Sequence, residues 1–253
     1  MKITVLTENN AGAGYLAEFG LSYFIEYAGN KILFDTGHTD VFMRNAIKAG
    51  IDIQHDVNTV VLSHGHWDHG DGLQHLFDKT LITHPAAFMK RFRKDGNTHI
   101  GLKFDKEVLQ NKFKIMESVS PYHLDENIIY LGEIPRKNNF ESLTTIYVDE
   151  NNNEDFIPDD SALTIKMGDE IIVITGCSHS GICNIIEHAK NATGITKIAA
   201  VIGGFHLKKA DELTKKTIAY LKQQHIRNVI PSHCTDFPAL CMLHEHFKFV
   251  PPK

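Results

Sequence analysis

The run Thr59-Val60-Val61-Leu62 reads as a short β-strand, and the ten residues after it, SHGHWDHGDG, hold three histidines and two aspartates. A solvated turn accounts for His and Asp after a strand in general, but it does not account for their spacing here. His64, His66, Asp68 and His69 form H-x-H-x-D-H, which offers imidazole nitrogens and a carboxylate, the ligand types that borderline metals such as zinc prefer. Neighbouring side chains in a turn diverge, so one ion cannot easily use all four. The arrangement to expect is two adjacent ions, with His64 and His66 on one and Asp68 and His69 on the other. Each ion then lacks ligands, and the rest of the chain must supply histidines at the ends of later strands.

Three later strands meet that demand. VITGCSHSG places His179 after Ile171–Thr175, VIGGFHL places His206 after Ile198–Ile202, and VIPSHCTD places His233 after Val229-Ile230. A single histidine after a strand is usually a structural hydrogen-bonding residue; three of them beside an H-x-H-x-D-H argue together for metal. Cys177 and Cys234 neighbour two of these histidines. As thiolates they could ligate, but with imidazoles enough for the purpose they read as small buried packing residues.

The rest of the sequence narrows the setting. A chain of 253 residues can bury a sizeable core, and a net charge of -5 gives no support to a nucleic-acid partner. The amino terminus, MKITVLTENN, turns polar by Glu8 and lacks the apolar core of a signal peptide. No run approaches the roughly 18 apolar residues of a membrane helix. A soluble, cytoplasmic protein with no membrane partner is the expectation. Its four cysteines form no C-x-x-C pair and are read as thiols. Strand-like segments recur at Ile3–Leu6, Tyr23–Tyr27, Lys31–Phe34, Thr59–Leu62, Ile171–Thr175, Ile198–Ile202 and Asn228–Ile230. Met167-Gly168-Asp169-Glu170 signals a hairpin, and Leu213, Thr217, Tyr220 and Leu221 mark one face of a helix from about Lys209 to Gln224. The whole chain, 1–253, is expected to form one domain. Residues 85–158 break the strand rhythm with charged, partly helical sequence and look like an insertion.

The H-x-H-x-D-H signature, Asp35 in ILFDTG, and the later His179 and His233 motifs resemble the metallo-β-lactamase superfamily in kind and order. That resemblance implies an α+β chain folded as an αββα sandwich, with two metal ions at one edge of the two sheets. It assigns His64, His66 and His179 to one ion, and Asp68, His69 and His233 to the other. Asp35 would accept a hydrogen bond from a ligand imidazole and fix its tautomer. One motif departs from the pattern. Many members carry an aspartate after a glycine whose carboxylate bridges the ions, whereas this chain has Gly203, Gly204, Phe205 and then His206. His206 is either a terminal ligand, a proton-transfer or substrate-orienting group, or a structural histidine. AEFGLSYFIE, GEIPR, DDSALTIK, GCSHSGICNI and SHCTD further resemble the branch of the archaeal dihydropterin ribofuranosylaminobenzene 5'-phosphate synthase and bacterial metal-dependent hydrolases.

Two divalent ions, with zinc first and manganese or iron also suited to these donors, can supply a bridging hydroxide and polarise an electrophilic oxygen. Hydrolysis of a small anionic ester or phosphoester is therefore the leading expectation. The alternatives are a pterin-type transferase, in which the metals serve a phosphate-bearing substrate, and a non-catalytic ligand-binding protein on the same fold. A redox role like that of flavodiiron proteins is disfavoured, because those carry a glutamate where this chain has His66. Candidate substrate-binding residues are Arg136 in GEIPR, which alternatively pairs with Glu133, Asp160, which could reach the active-site edge or serve as a cap or turn residue, and Lys103 in a basic stretch. Between Phe88 and Lys114 there are eight lysines and arginines against three acids, which could be a solvated face or a phosphate-attracting lid.

Overall fold

The computed structural model describes residues 1–96, 98–250 and 252. The chain gathers into two compact units. The first is formed chiefly by Met1–Ser118 and Ile146–Asp155, the second by Val119–Thr145 and the chain from Phe156 on. Each has its own six-stranded sheet and its own apolar core.

In the first unit, β1 (Lys2–Thr7), β2 (Ser22–Tyr27) and β3 (Asn30–Phe34) form an antiparallel meander. β4 (Thr59–Val61), β5 (Lys79–Thr83) and, beyond the short β6 (Arg91–Arg93), β7 (Phe113–Glu117) then add in parallel. Parallel neighbours need crossovers. These carry α1 (Val41–Lys48) and α2 (Ile53–Asp56) between β3 and β4, α3 (Trp67–Gly70) between β4 and β5, and α4 (Lys106–Gln110) before β7. α1 delivers Phe42 and Ala46 to a core that also holds Phe24, Leu33, Val60 and Leu81.

The second unit repeats the plan. β8 (Tyr122–His123), β9 (Ile128–Tyr130), β11 (Ala162–Met167) and β12 (Glu170–Thr175) are antiparallel neighbours, and β13 (Lys197–Gly204) and β14 (Asn228–Ser232) continue in parallel from β12. The expected hairpin joins β11 to β12, with Met167 opposite Glu170. β12 and β13 are almost wholly buried, which explains their unbroken Ile/Val/Ala runs. β13 and β14 outlast their branched residues, because parallel pairing continues through Gly203 with Pro231 and Gly204 with Ser232. The crossover helices are α5 (Ile182–Thr193) and α6 (Glu212–Gln223), and α7 (Phe237–Phe247) follows β14. α6 starts later than the expected boundary near Lys209, because Asp211 caps it by accepting from the Thr214 amide at 3.1 Å.

The charged stretch between residues 85 and 158 is more structural than its sequence suggests. It supplies β7 to the first sheet and β8 and β9 to the second, while β6 pairs with β10 (Tyr147–Asp149) in a separate ribbon. Its basic excess is largely cancelled by acids the local sequence window does not contain. Arg91 is wholly buried, its Nε donating to Asp155 at 2.9 Å and its Nη2 to the Ala86 carbonyl at 3.1 Å. Lys94 pairs with Glu154, Lys106 with Glu117 and Lys103 with Asp71. Among the described residues no helix is long and apolar enough to cross a membrane.

α5 has an unusual cap. Glu141, forty residues upstream and buried, accepts from the amides of Cys183 at 3.0 Å and Asn184 at 3.1 Å, near the positive end of the helix.

Two outcomes follow. Asp155→Ala leaves a buried guanidinium without its carboxylate and should cost about 3–5 kcal/mol in urea unfolding; a loss under 1 kcal/mol would show that the Arg91 pair does not hold the ribbon. Burial raises the Glu141 carboxyl above its ordinary value of 4.5, outweighing the hydrogen bonds from Cys183, Asn138 and Asn184. The folded state then holds that proton more tightly than the unfolded state does. The resulting stability is fully present below the unfolded value and is lost as pH rises through the folded one. Relative to Glu141→Gln, the native chain should lose stability as pH rises above the ordinary carboxyl value of 4.5. A pH-independent difference in urea midpoint would refute this.

Candidate metal centre

The strand that led the sequence argument, β4, ends beside β3, and Asp35 sits at the end of β3. Asp35 is wholly buried in a left-handed backbone conformation (φ 56°), which a non-glycine residue adopts only when its surroundings enforce it. One carboxylate oxygen accepts from the Ser63 amide at 2.7 Å. The other accepts from the Ser63 hydroxyl and from His69 Nδ1, each at 2.7 Å. With Nδ1 so engaged, His69 is left to present Nε2, and Asp68 Oδ2 lies 3.8 Å from that nitrogen.

The Ser63 hydroxyl also meets His64 Nδ1 at 2.9 Å, and His64 Nε2 lies 3.0 Å from His66 Nδ1. Two imidazole nitrogens at that separation can share one proton or serve one cation. The turn allows this closeness because residue 65 is glycine. A Cβ there would come within 1.8 Å of the Ala87 carbonyl oxygen, so the backbone between the two histidines runs hard against the next strand-end turn. His64, His66, Asp68 and His69 are all buried. The site thus starts from fixed tautomers and orientations, which metal binding requires and a solvated turn does not provide.

In the second unit the remaining candidates also sit at strand ends, as ligand sites in open α/β sheets do. His179 follows β12, and its ring centroid lies 4.4 Å from that of His206, which follows β13. His233 follows β14. Both His206 (φ 50°) and His233 (φ 49°) are left-handed, as is Ser178 (φ 58°). The three turns are laced together. The Ser178 hydroxyl donates to the Gly204 carbonyl at 2.6 Å, Gly204 N to the Gly176 carbonyl at 2.9 Å, and Phe205 N to the Thr235 hydroxyl at 3.0 Å. The ligand atoms of Cys177, His233 and Cys234 lie within 4.8 Å of one another.

The model for the metallo-beta-lactamase superfamily matches residues 16–190. The chain belongs to that superfamily. It has the superfamily's α+β fold. A 7,8-dihydropterin-6-methyl-4-(beta-D-ribofuranosyl)-aminobenzene-5'-phosphate synthase of Methanocaldococcus jannaschii is 34% identical over 98% of this chain and 92% of its own. A second protein of that organism, the uncharacterised MJ0448, is 34% identical over 98% and 96%. Among solved structures, Tm1679, described as a metal-dependent hydrolase of the beta-lactamase superfamily, matches at a TM-score of 0.86. It is 30% identical and covers 97% of this chain and 92% of its own.

Within this superfamily member, the weaker sequence candidates have local employment. Arg136 Nε donates to the Ser142 hydroxyl at 3.0 Å, and its Nη2 reaches the carbonyls of Phe156 and Ile157, the latter at 3.1 Å. It thus ties down a loop in which Ser142 and Ile157 are both left-handed. Asp160 is buried and accepts from the Ser180 amide at 2.8 Å and from its hydroxyl, supporting the turn that carries His179. Burial raises its carboxyl above the ordinary value despite those bonds. Lys103 lies with its ammonium 3.6 Å from the buried Asp71, whose carboxyl burial likewise raises.

Sequence reasoning missed Ser63, the group that couples Asp35 to His64. It also missed His84, buried after β5, whose Nδ1 accepts from the Ala86 amide at 3.1 Å. The apolar Leu81-Ile82 before His84 was the available signal.

Asp35→Ala should lower metal affinity about ten- to hundredfold, measured by competition with a chromogenic chelator, because His69 loses its acceptor, and Asp35→Asn, which keeps one neutral acceptor oxygen, should lower it less. Unchanged affinity would mean that Asp35 does not set the histidine's orientation.

Proposed function

We propose that this chain is a metal-dependent hydrolase acting on a small anionic ester or phosphoester at a paired metal centre. His64, His66 and His179 hold one ion; Asp68, His69 and His233 hold the other. The observation that carries the reading is the buried relay from Asp35 through Ser63 and His69, which fixes imidazoles as ligands rather than as titrating surface groups. The likeness to Tm1679 over nearly the full length supports the reaction class.

Divalent ions bound here supply Lewis-acid polarisation and lower the pKa of water. The chain's own residues do the rest. Asp35 and Ser63 hold the imidazoles in the ligand tautomer. His206, beside His179, is placed to orient substrate or to pass a proton to the leaving group, and its strained backbone keeps it there. Zinc is the expected metal, since imidazole and carboxylate donors suit it.

A second reading has its own support. The 34% identity to the archaeal dihydropterin synthase, over nearly both full lengths, favours a transferase acting on a phosphorylated, pterin-like molecule. Both readings call for a small anionic substrate, and they part on the bond that is broken.

The test is elemental analysis followed by activity. Purified protein should hold about two ions of one metal per chain, and chelator treatment should abolish turnover of bis(p-nitrophenyl) phosphate or p-nitrophenyl esters, with zinc restoring it. Two ions without hydrolysis, but with diphosphate release from a dihydropterin diphosphate and an aminobenzene ribotide, would install the transferase reading. Fewer than one ion per chain would refute the paired centre.

A further inference from the structure

The superfamily's usual bridging carboxylate is missing from the turn after β13, where Gly204 leads into Phe205 and His206. That turn is not vacant. A Cβ on Gly204 would come within 2.5 Å of both the Cys234 sulfur and the Gly176 carbonyl oxygen, so this turn packs directly against the thiol and against the backbone that follows β12. Cys234 Sγ in turn donates to the Cys177 carbonyl at 3.3 Å. Cys177, His233 and Cys234 are all buried, and their ligand atoms lie within 4.8 Å of one another, a separation that a small movement closes around one ion. The two other cysteines have no such setting: Cys241 is exposed on α7 and Cys183 is packed in α5.

Charge points the same way. The six ligands assigned above are five neutral imidazoles and one carboxylate, a total of one negative charge against two dications. A bridging carboxylate would double that charge, and in this chain none stands at the expected motif. Two buried thiolates would supply two negative charges, and thiolate is the softer donor, with a strong preference for zinc or cadmium over manganese and magnesium.

We propose that Cys177 and Cys234, together with His233, form a thiolate ligand set for the second ion, taking over the role of the missing carboxylate and making this centre thiophilic. The assignment rests on His233 being a metal ligand, as proposed above. It gives two residues that read as core packing a direct part in metal selection.

The experiment is a cadmium titration of the chelator-treated full-length protein, following the ultraviolet thiolate-to-cadmium charge-transfer band. The band should appear as the second equivalent binds. It should weaken in Cys177→Ala and in Cys234→Ala, vanish in the double variant, and persist in Cys241→Ser. Zinc should displace manganese from the wild-type protein, and the double variant should lose that preference. Should the cysteine variants fail to fold by circular dichroism, the wild-type band decides alone. Two cadmium ions bound with no thiolate band would overturn this inference while leaving the paired centre standing. No band together with fewer than one bound ion would bring down both.

Discussion

The histidine cluster of the first unit depends on one buried carboxylate. Asp35 ends β3, and Ser63 and His69 lie just past β4 and on the helix that follows. Three hydrogen bonds from those residues converge on Asp35's two oxygens. Removing the carboxylate would strand three buried donors at once, each costing on the order of 1–3 kcal/mol. The parallel pairing of β3 with β4 brings the two strand ends side by side, with Phe34 opposite Val61. The left-handed turn at Asp35 then swings its side chain across to the neighbouring strand's loop. The metal loop is therefore not a flexible insertion decorated with histidines. It is held by the sheet's own register.

The second unit reaches a similar end by different means. Its three turns are joined mainly through backbone groups and small hydroxyls: Ser178 to Gly204, Gly204 to Gly176, and Phe205 to Thr235. Backbone strain takes the place of a central carboxylate, with Ser178, His206 and His233 all left-handed. Such conformations cost about 1–3 kcal/mol each and persist only where neighbouring bonds over-determine them. At Ser178, His206 and His233 those neighbouring bonds are the ones that lace the three turns together.

How much of this was legible in the sequence divides along physical lines. The strands were readable wherever a branched apolar run is buried on both faces, as in Ile171–Thr175 and Ile198–Ile202. The ligand motifs were readable because they directly follow those runs. What escaped depends on contacts distant in sequence. Arg91 looks like one more cation in a basic stretch until Asp155, sixty-four residues on, buries it. Arg136 reads as a partner of Glu133 or of a phosphate, and its bonds to Ser142 and to the carbonyls of residues 156 and 157 come from a stretch the motif does not include. β7 and β9 were hidden by charged and polar neighbours, although each pairs with a sheet strand. Local charge counts are thus a poor guide in a chain whose acids arrive from elsewhere.

The cysteines show the same limit from the other side. Cys183 and Cys234 are both small, buried and sulfur-bearing, and hydropathy cannot distinguish them. Their environments do. Burial beside Glu141 pushes the Cys183 thiol up, which suits an inert packing residue. At Cys234 burial also opposes the thiolate, but the Cys177 thiol, His233 and Lys208 outweigh it and bring the thiol below its ordinary value. A side chain's chemistry is set by the groups the fold turns toward it. Two thiols that hydropathy scores alike therefore differ in chemistry because one faces a carboxylate and the other an imidazole and an ammonium group.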